Sequence, residues 1–178
     1  MNDSLISIVE QVAGKDVVKL KFLNRLEEGH LTRSENPTSH LCAYFAAYDP
    51  ATRNVFIGHH KKSGLWLFNG GHMDPGESPA VTVIREAQEE WGITLHQHTI
   101  SPPQLATLTE IEHPERQTCE WHYDVWHFLP VDERVFVPNP TQLSIEFSEY
   151  GWKSYEQAKN LMTDPASQEA LAYCKNLK

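Results

Sequence analysis

The spacing of apolar and polar residues along the chain predicts interleaved helices and strands. Apolar residues recur every three or four positions in residues 4–28, which predicts a helical segment interrupted at Gly14 and restarted with Asp16 as its cap. Residues 29–39 and the segment around Pro138 and Pro140 are predicted loops. Strands are predicted at 40–48, 55–60, 65–68, 105–111 and 119–129, with a last extended piece ending near Trp152. Further helices are predicted at 79–91, 155–161 and 165–176.

This order of elements indicates a mixed α/β fold. The chain has 178 residues, a length that suits one domain with a full hydrophobic core. We therefore predict a single domain over residues 1–178, with an N-terminal helical extension at 1–30 and a catalytic core at 40–178. The sequence shows no internal repeat, low-complexity tract or linker.

Composition narrows the classes of function. Apolar residues make up 40% of the chain and charged residues 22%, which is typical of a folded globular protein. The net charge of −9 disfavours binding to a nucleic-acid polymer, whose phosphates carry the same sign. The chain has three cysteines and no C-x-x-C pair, which argues against a disulfide framework or a structural zinc site. The first residues lack a basic leader and no apolar run could span a membrane, so we expect a cytoplasmic monomer or homodimer.

The predicted helix at 79–91 carries the main chemical signal. Ser78 is a good N-cap, Pro79 suits the first turn, and Gly92 is placed to end the helix. One arc of this helix is apolar and should face the sheet. Three carboxylates occupy the neighbouring arc: Glu86, Glu89 and Glu90. Their mutual repulsion is locally unfavourable, which suggests a site, and carboxylate oxygens are the ligands that Mg²⁺ or Mn²⁺ prefers. Taken alone, this pattern is more often a solvated acidic face of an acidic protein.

Residues 71–93 resemble the Nudix box, G-x5-E-x7-R-E-U-x-E-E-x-G-U, where U is aliphatic. The residues at the defined positions are Gly71, Glu77, Arg85, Glu86, Ala87, Glu89, Glu90, Gly92 and Ile93. Ala87 is a small member of the aliphatic class, and every other position matches. The resemblance implies the Nudix-type α/β/α sandwich with a mixed β-sheet, to which the N-terminal helical segment is an addition.

The resemblance also implies a reaction. In Nudix hydrolases the box glutamates bind divalent cations that bridge the phosphates of the substrate, and metal-activated water cuts a phosphoanhydride bond. By position, the expected Mg²⁺ or Mn²⁺ ligands are Glu86, Glu89, Glu90 and the Gly71 carbonyl, and the expected catalytic residues include Glu89 and Glu90. Glu77 and Arg85 are expected to form an ion pair that holds the loop against the helix, and Gly70 is expected to permit a tight loop.

Weaker candidates lie outside the box. Lys61 and Lys62 could contact phosphate, although a solvated turn explains them equally well. Asp124 is unusual in an aromatic strand, and by alternation it shares a face with Trp126 and Phe128, either of which could stack on a base. A histidine metal site is a further alternative, built from the residues that flank the loop: His59, His60 and His72.

The catalytic base is expected in the stretch that precedes the C-terminal helices. The segment 146–152 resembles a stretch of several Nudix subgroups in which a functional glutamate lies six residues before a tryptophan. That position is Glu146, so Glu146 is predicted to be a base or an auxiliary metal ligand, and Glu149 is the second candidate.

The predicted substrate is a small phosphorylated molecule: a nucleoside triphosphate or a nucleoside diphosphate derivative. Markers of the NADH-, coenzyme A-, ADP-ribose- and dinucleoside polyphosphate-directed subgroups are absent from the sequence. Two alternatives remain open. One is an isomerase similar to isopentenyl diphosphate isomerase, which uses a catalytic cysteine and a histidine-rich metal site outside a modified box. The other is a non-catalytic nucleotide-binding module.

Overall fold

The computed structural model describes residues 2–111 and 118–177. Within those residues the helices are α1 (Asn2–Gln11), α2 (Asp16–Glu28), α3 (Pro79–Glu86), α4 (Pro140–Glu146), α5 (Tyr155–Leu161) and α6 (Pro165–Cys174). The strands are β1 (Ser39–Tyr48), β2 (Asn54–His60), β3 (Trp66–Leu67), β4 (Asn69–His72), β5 (Leu105–Glu110), β6 (Trp121–Pro130) and β7 (Phe147–Ser154). A π-helical turn, Ala87–Trp91, extends α3, and a short 3₁₀ turn covers Gln97–Thr99.

Three local predictions need correction. The segment predicted as a loop around Pro140 contains helix α4, because the Asn139 side chain caps it by accepting from the Thr141 N–H at 2.9 Å and Pro140 fits the first turn. Asp16 is not a cap but the first residue of α2, preceded by Lys15. Part of the predicted glycine-rich loop is strand β4, which pairs with β1.

The sheet is mixed and divides at β1. Strand β1 pairs in parallel with β6 along its whole length, and β5 pairs antiparallel with the other side of β6. The opposite edge of β1 is shared, because its Cys42–Phe45 stretch pairs with β4 while only Tyr48 pairs with β2. Strand β2 in turn pairs antiparallel with β3 and with β7. Along this edge of β1, β4 and β2 therefore pair with different parts of the same strand and diverge from each other.

Helices cover both faces of the sheet. Phe45 of β1 packs into a core with helices α1, α2 and α3. Ala46, the next residue, points to the opposite face and packs with α5 and α6. The result is a three-layer α/β/α sandwich, as predicted, and the N-terminal helices contribute buried side chains such as Val9 and Phe22 to the first core.

None of the helices in the described residues is long and apolar enough to span a membrane.

Candidate active site

The helix that carries the carboxylates begins and ends on the predicted residues. The Ser78 side chain accepts from the Val81 N–H, and Gly92 ends the helix in a left-handed conformation with φ of 66°. The last turn is π-helical, which the sequence does not indicate; such turns are frequent at functional sites. The apolar arc lies in the core, where Trp91 packs edge-on against Phe45 with ring centroids 4.6 Å apart. Packing of this arc fixes the acidic arc at the edge of a cleft.

The three box carboxylates lie in different environments. Glu90 is 4% exposed, and its Oε2 accepts hydrogen bonds from the Asn69 side chain at 2.8 Å and the Gly70 N–H at 3.2 Å. Burial raises the pKa of Glu90 well above its ordinary value. Burial also raises the pKa of Glu86, against the opposing effect of Arg85. The Glu89 side chain is 58% exposed. All three residues line one cleft of about 360 Å³.

The backbone of β4 runs directly against these carboxylates. A Cβ added at Gly71 would overlap the Glu86 Oε1, so glycine lets this carboxylate lie against β4 without a shift of the Glu86 side chain. Gly70 has φ of 139°, and a Cβ there would lie 2.5 Å from the Ala43 carbonyl oxygen and 2.6 Å from the Tyr44 Cα. The two glycines therefore serve different purposes: Gly70 permits the backbone turn, and Gly71 permits the approach to Glu86.

The structure contains the expected ion pair between Glu77 and Arg85. The Arg85 Nε lies 2.9 Å from the Glu77 Oε1 and its Nη2 lies 3.1 Å from Oε2. Although burial acts to raise the pKa of Glu77, hydrogen bonds from Arg85, the Asp74 N–H and the Thr82 hydroxyl outweigh it and lower that pKa. Arg85 also donates to the Glu86 carboxylate at 2.7 Å and to the His72 carbonyl at 2.8 Å. One guanidinium thus joins the loop, the helix and β4.

The two candidates for the base differ in position. Glu146, the last residue of α4, lines the cleft with a side chain that is 51% exposed, and its Oε2 lies 3.8 Å from the His60 Nε2. It is close enough to the box for its charge to contribute to the raised pKa of both Glu86 and Glu90. Glu149 lies on β7 outside the residues that line the cleft, and pairs with Lys153 at 3.3 Å. Of these two candidates, Glu146 is the one that lines the same cleft as the box carboxylates.

Of the residues predicted to contact substrate, some line the cleft and others do not. Lys62 lines the cleft, whereas the Lys61 ammonium donates to the Ser144 carbonyl and lies outside the lining residues. Trp126 reaches the cleft, but it is 1% exposed and stacks on Tyr44 with centroids 4.9 Å apart.

Asp124 is fully buried behind the cleft wall. Its Oδ2 accepts from the hydroxyls of Thr107 and Thr109, at 3.1 and 2.6 Å, and burial raises its pKa well above the ordinary value. Sequence reasoning missed Arg33, a cation of the 29–39 loop that lines the cleft. No local pattern marks Arg33, because only the folded loop brings it there.

The histidines come together in a different set from the one predicted. His59 bonds to Ser148 and to the Gly64 carbonyl, and His60 bonds to Ser63, so neither joins His72. His72 lies instead against His40 and His122, with ring centroids 4.6 and 5.0 Å away. Burial, then the neighbouring imidazoles, lowers the pKa of His72 to about 2, and burial with His40 lowers that of His122 to about 3.

Comparison with known proteins gave a family and a fold. The model of the NUDIX domain family matches residues 21–174, which is most of the chain. A search of curated proteins gave no match.

Solved structures resemble this chain at low sequence identity. The dihydroneopterin triphosphate pyrophosphohydrolase of E. coli has 20% identity and a TM-score of 0.65, over 77% of this chain and 96% of that one. An Ap4A hydrolase of C. elegans has 20% identity and a TM-score of 0.53, over 75% and 95%. The MutT protein of Methanosarcina mazei Go1 has 21% identity and a TM-score of 0.53, over 78% and 94%. At these identities the likeness establishes the shared fold.

Proposed function

The chain belongs to the Nudix hydrolase family, and we propose that it hydrolyses a phosphoanhydride bond in a nucleoside triphosphate or a nucleoside diphosphate derivative, with Mg²⁺ or Mn²⁺ as cofactor. The observation that carries this proposal is the convergence of Glu86, Glu89 and Glu90 on one edge of the cleft. A cleft with this acidic edge repels phosphates unless cations offset the charge.

The residues present fit a hard divalent cation. Carboxylate and backbone carbonyl oxygens are the donors that Mg²⁺ and Mn²⁺ take. Glu86, Glu89, Glu90 and the Gly71 carbonyl would supply them, and the space that a Cβ at Gly71 would fill is kept for the Glu86 carboxylate. When bound, such a cation neutralises phosphate charge and makes water easier to deprotonate.

The remaining steps fall to side chains of this chain. Glu146, which lines the cleft, would accept the proton of the attacking water as the oxygen–phosphorus bond forms and the bridging phosphoanhydride bond breaks. Lys62 and Arg33 line the same cleft and would bind the outer phosphate oxygens. The products are two phosphate-bearing fragments, or one fragment and pyrophosphate.

The apolar wall of the cleft suits a flat ring. Phe68 and Trp126 belong to its lining, with centroids 5.9 Å apart. Trp126 stacks on Tyr44 and is 1% exposed, so it would offer a base only a small part of its ring. Dihydroneopterin triphosphate and Ap4A, after which two of the similar proteins are named, both combine a heterocycle with a polyphosphate, and they belong in a substrate panel.

The isomerase alternative requires a cysteine that substrate can reach. Cys42 and Cys119 lie beside the histidines of the cleft, but both are fully buried. The box is also unmodified. Both features favour hydrolysis over isomerisation.

The test measures phosphate and pyrophosphate release with Mg²⁺ or Mn²⁺ across nucleoside triphosphates, nucleoside diphosphate derivatives, dinucleoside polyphosphates and isopentenyl diphosphate. We expect activity that EDTA abolishes and that Glu90→Gln lowers by about 100-fold or more, as for loss of a metal ligand. Glu27→Gln, an exposed change on α2, is the matched control. Full activity in EDTA or in Glu90→Gln contradicts the proposal, as does isomerisation of isopentenyl diphosphate without any hydrolysis.

A further inference from the structure

Five nitrogen and sulfur donors meet at the wall of the cleft beside the carboxylate site, and two of them, His72 and His122, line the cleft. His40 and Cys42 alternate on one face of β1, His72 lies on β4, and His122 lies on β6. The strand register brings them together, because Cys42 pairs with His72 on one side of β1 and His40 pairs with His122 on the other. Cys119 reaches the same point from just before β6.

Three distances between these donors match edges of a metal-ligand tetrahedron. Zinc bonds of roughly 2.0–2.1 Å to nitrogen and 2.3 Å to sulfur give edges of roughly 3.3 Å between nitrogens and 3.6 Å between nitrogen and sulfur. The His72 and His122 Nε2 atoms are 3.4 Å apart. The Cys119 Sγ lies 3.6 Å from the His40 Nε2 and 3.8 Å from the His72 Nε2. A donor atom of Cys42 also falls within 4.8 Å of the three histidines.

The His40 ring is oriented as a ligand. Its Nδ1 lies 3.0 Å from the Asn36 carbonyl oxygen, which can only accept, so Nδ1 carries the proton. The Nε2 lone pair therefore points at the other donors. A hydrogen bond to the distal ring nitrogen is the usual way in which proteins fix a metal-binding imidazole.

Burial favours a soft or borderline cation. His40, Cys42 and Cys119 are 0% exposed and His122 is 7% exposed. Imidazole and thiolate donors suit zinc, whereas Mg²⁺ and Mn²⁺ take oxygen donors. The chemistry of this cluster therefore differs from that of the carboxylates at Glu86, Glu89 and Glu90.

We propose that His40, His72, His122 and Cys119 bind one Zn²⁺ ion in a tetrahedral site, with Cys42 in the wall behind it. Binding replaces the proton of the Cys119 thiol, which is released to solvent. The ion joins β1, β4 and β6 and holds the strand that carries Gly71, so its role is structural. The prediction from the sequence that no structural zinc site exists used only local spacing, and these ligands are not local: Cys119 is 79 positions from His40.

The test measures metal content and spectra of the full chain, with excess Mg²⁺ to occupy the carboxylates. We expect one zinc per chain to survive gel filtration. After exchange for Co²⁺, we expect the intense visible bands of a tetrahedral site and a thiolate-to-cobalt charge-transfer band. Cys119→Ala should abolish the charge-transfer band, whereas Cys42→Ala and Cys174→Ala should retain it. His122→Gln should weaken zinc binding by about 100-fold or more, and His127→Gln, a buried histidine of the same strand, should not.

Several results would overturn the proposal. They are absence of zinc, a cobalt spectrum of the wild-type protein without a charge-transfer band, or loss of the band in Cys42→Ala and not in Cys119→Ala. The wild-type spectrum decides the matter even if a histidine variant fails to fold. Glu90→Gln should bind zinc normally, so failure of this proposal is distinguishable from failure of the proposed hydrolysis.

Discussion

The ion pair between Arg85 and Glu77 gives a quantitative test of how the site is held together. The Glu77 side chain is 13% exposed and the Arg85 side chain 26% exposed. Removing one partner of a fully buried pair costs about 3–5 kcal/mol, because a buried charge is left alone. Here Glu77 would keep its bonds to Thr82 and to the Asp74 N–H, and both groups retain some solvent, so we expect about 2 kcal/mol for Arg85→Met.

The reverse change should cost less. In Glu77→Gln, Arg85 keeps Glu86 at 2.7 Å as a charged partner, so we expect a loss of about 1 kcal/mol. The double variant should lose about 1.5 kcal/mol, which leaves a coupling energy of about 1.5 kcal/mol. The assay is urea unfolding followed by tryptophan fluorescence in EDTA. Arg85→Met should also lower Tm by roughly 4–8 °C, at roughly 2–4 °C per kcal/mol for a chain of this size.

A second cycle supplies the control. Glu89 lies 3.3 Å from Arg85 but is 58% exposed, so the coupling of this pair should be only about 0.3–0.5 kcal/mol. If the Glu77 cycle is additive within about 0.5 kcal/mol, or if the Glu89 cycle gives the larger coupling, then burial does not govern the strength of this ion pair.

Two further predictions concern the cleft. Glu146→Gln should lower kcat by roughly 10²–10⁴-fold with little change in Tm, while Glu149→Gln should leave kcat within about twofold. The measurement is steady-state kinetics at saturating Mg²⁺, and equal behaviour of the two variants would refute the assignment. Gly71→Ala should lower kcat at least about tenfold by displacing the Glu86 carboxylate, while Tm changes little. Gly70→Ala should instead lower Tm, because its Cβ meets backbone atoms. A fully active Gly71→Ala enzyme would show that the close approach to Glu86 is dispensable.

Features encoded by neighbouring residues could be predicted from the sequence. The box helix is one such feature, since Ser78, Gly92 and the arc that ends at Trp91 are all local signals. The pairing of Arg85 with Glu77 also follows from a motif. Helix α4 was missed because Pro138 and Pro140 suggested a loop, although Asn139 followed by Pro140 is a typical start of a helix. The sequence did not indicate that Glu146 ends a helix and directly precedes β7.

Features that depend on strand register could not be predicted. Asp124 was expected to meet substrate because alternation places it on the face of Trp126, and that alternation holds in β6. Alternation does not show that Thr107 and Thr109 of β5 enclose Asp124 from the side. The histidines are a parallel case. His59 and His60 lie near His72 in sequence, but the antiparallel pairing of β1 with β4 selects Cys42 as the partner of His72.

Strand β4 connects the three parts of the site. Gly70 donates its N–H to Glu90, Gly71 lies against Glu86, and the His72 carbonyl accepts from Arg85 while its ring joins the histidine cluster. A shift of this short strand would move the carboxylates, the ion pair and the histidines together. The ion pair holds β4 from the helix side, and the proposed zinc ion holds it from the β6 side. The cleft therefore gains a fixed floor on which the flexible phosphate chain of a substrate can be positioned.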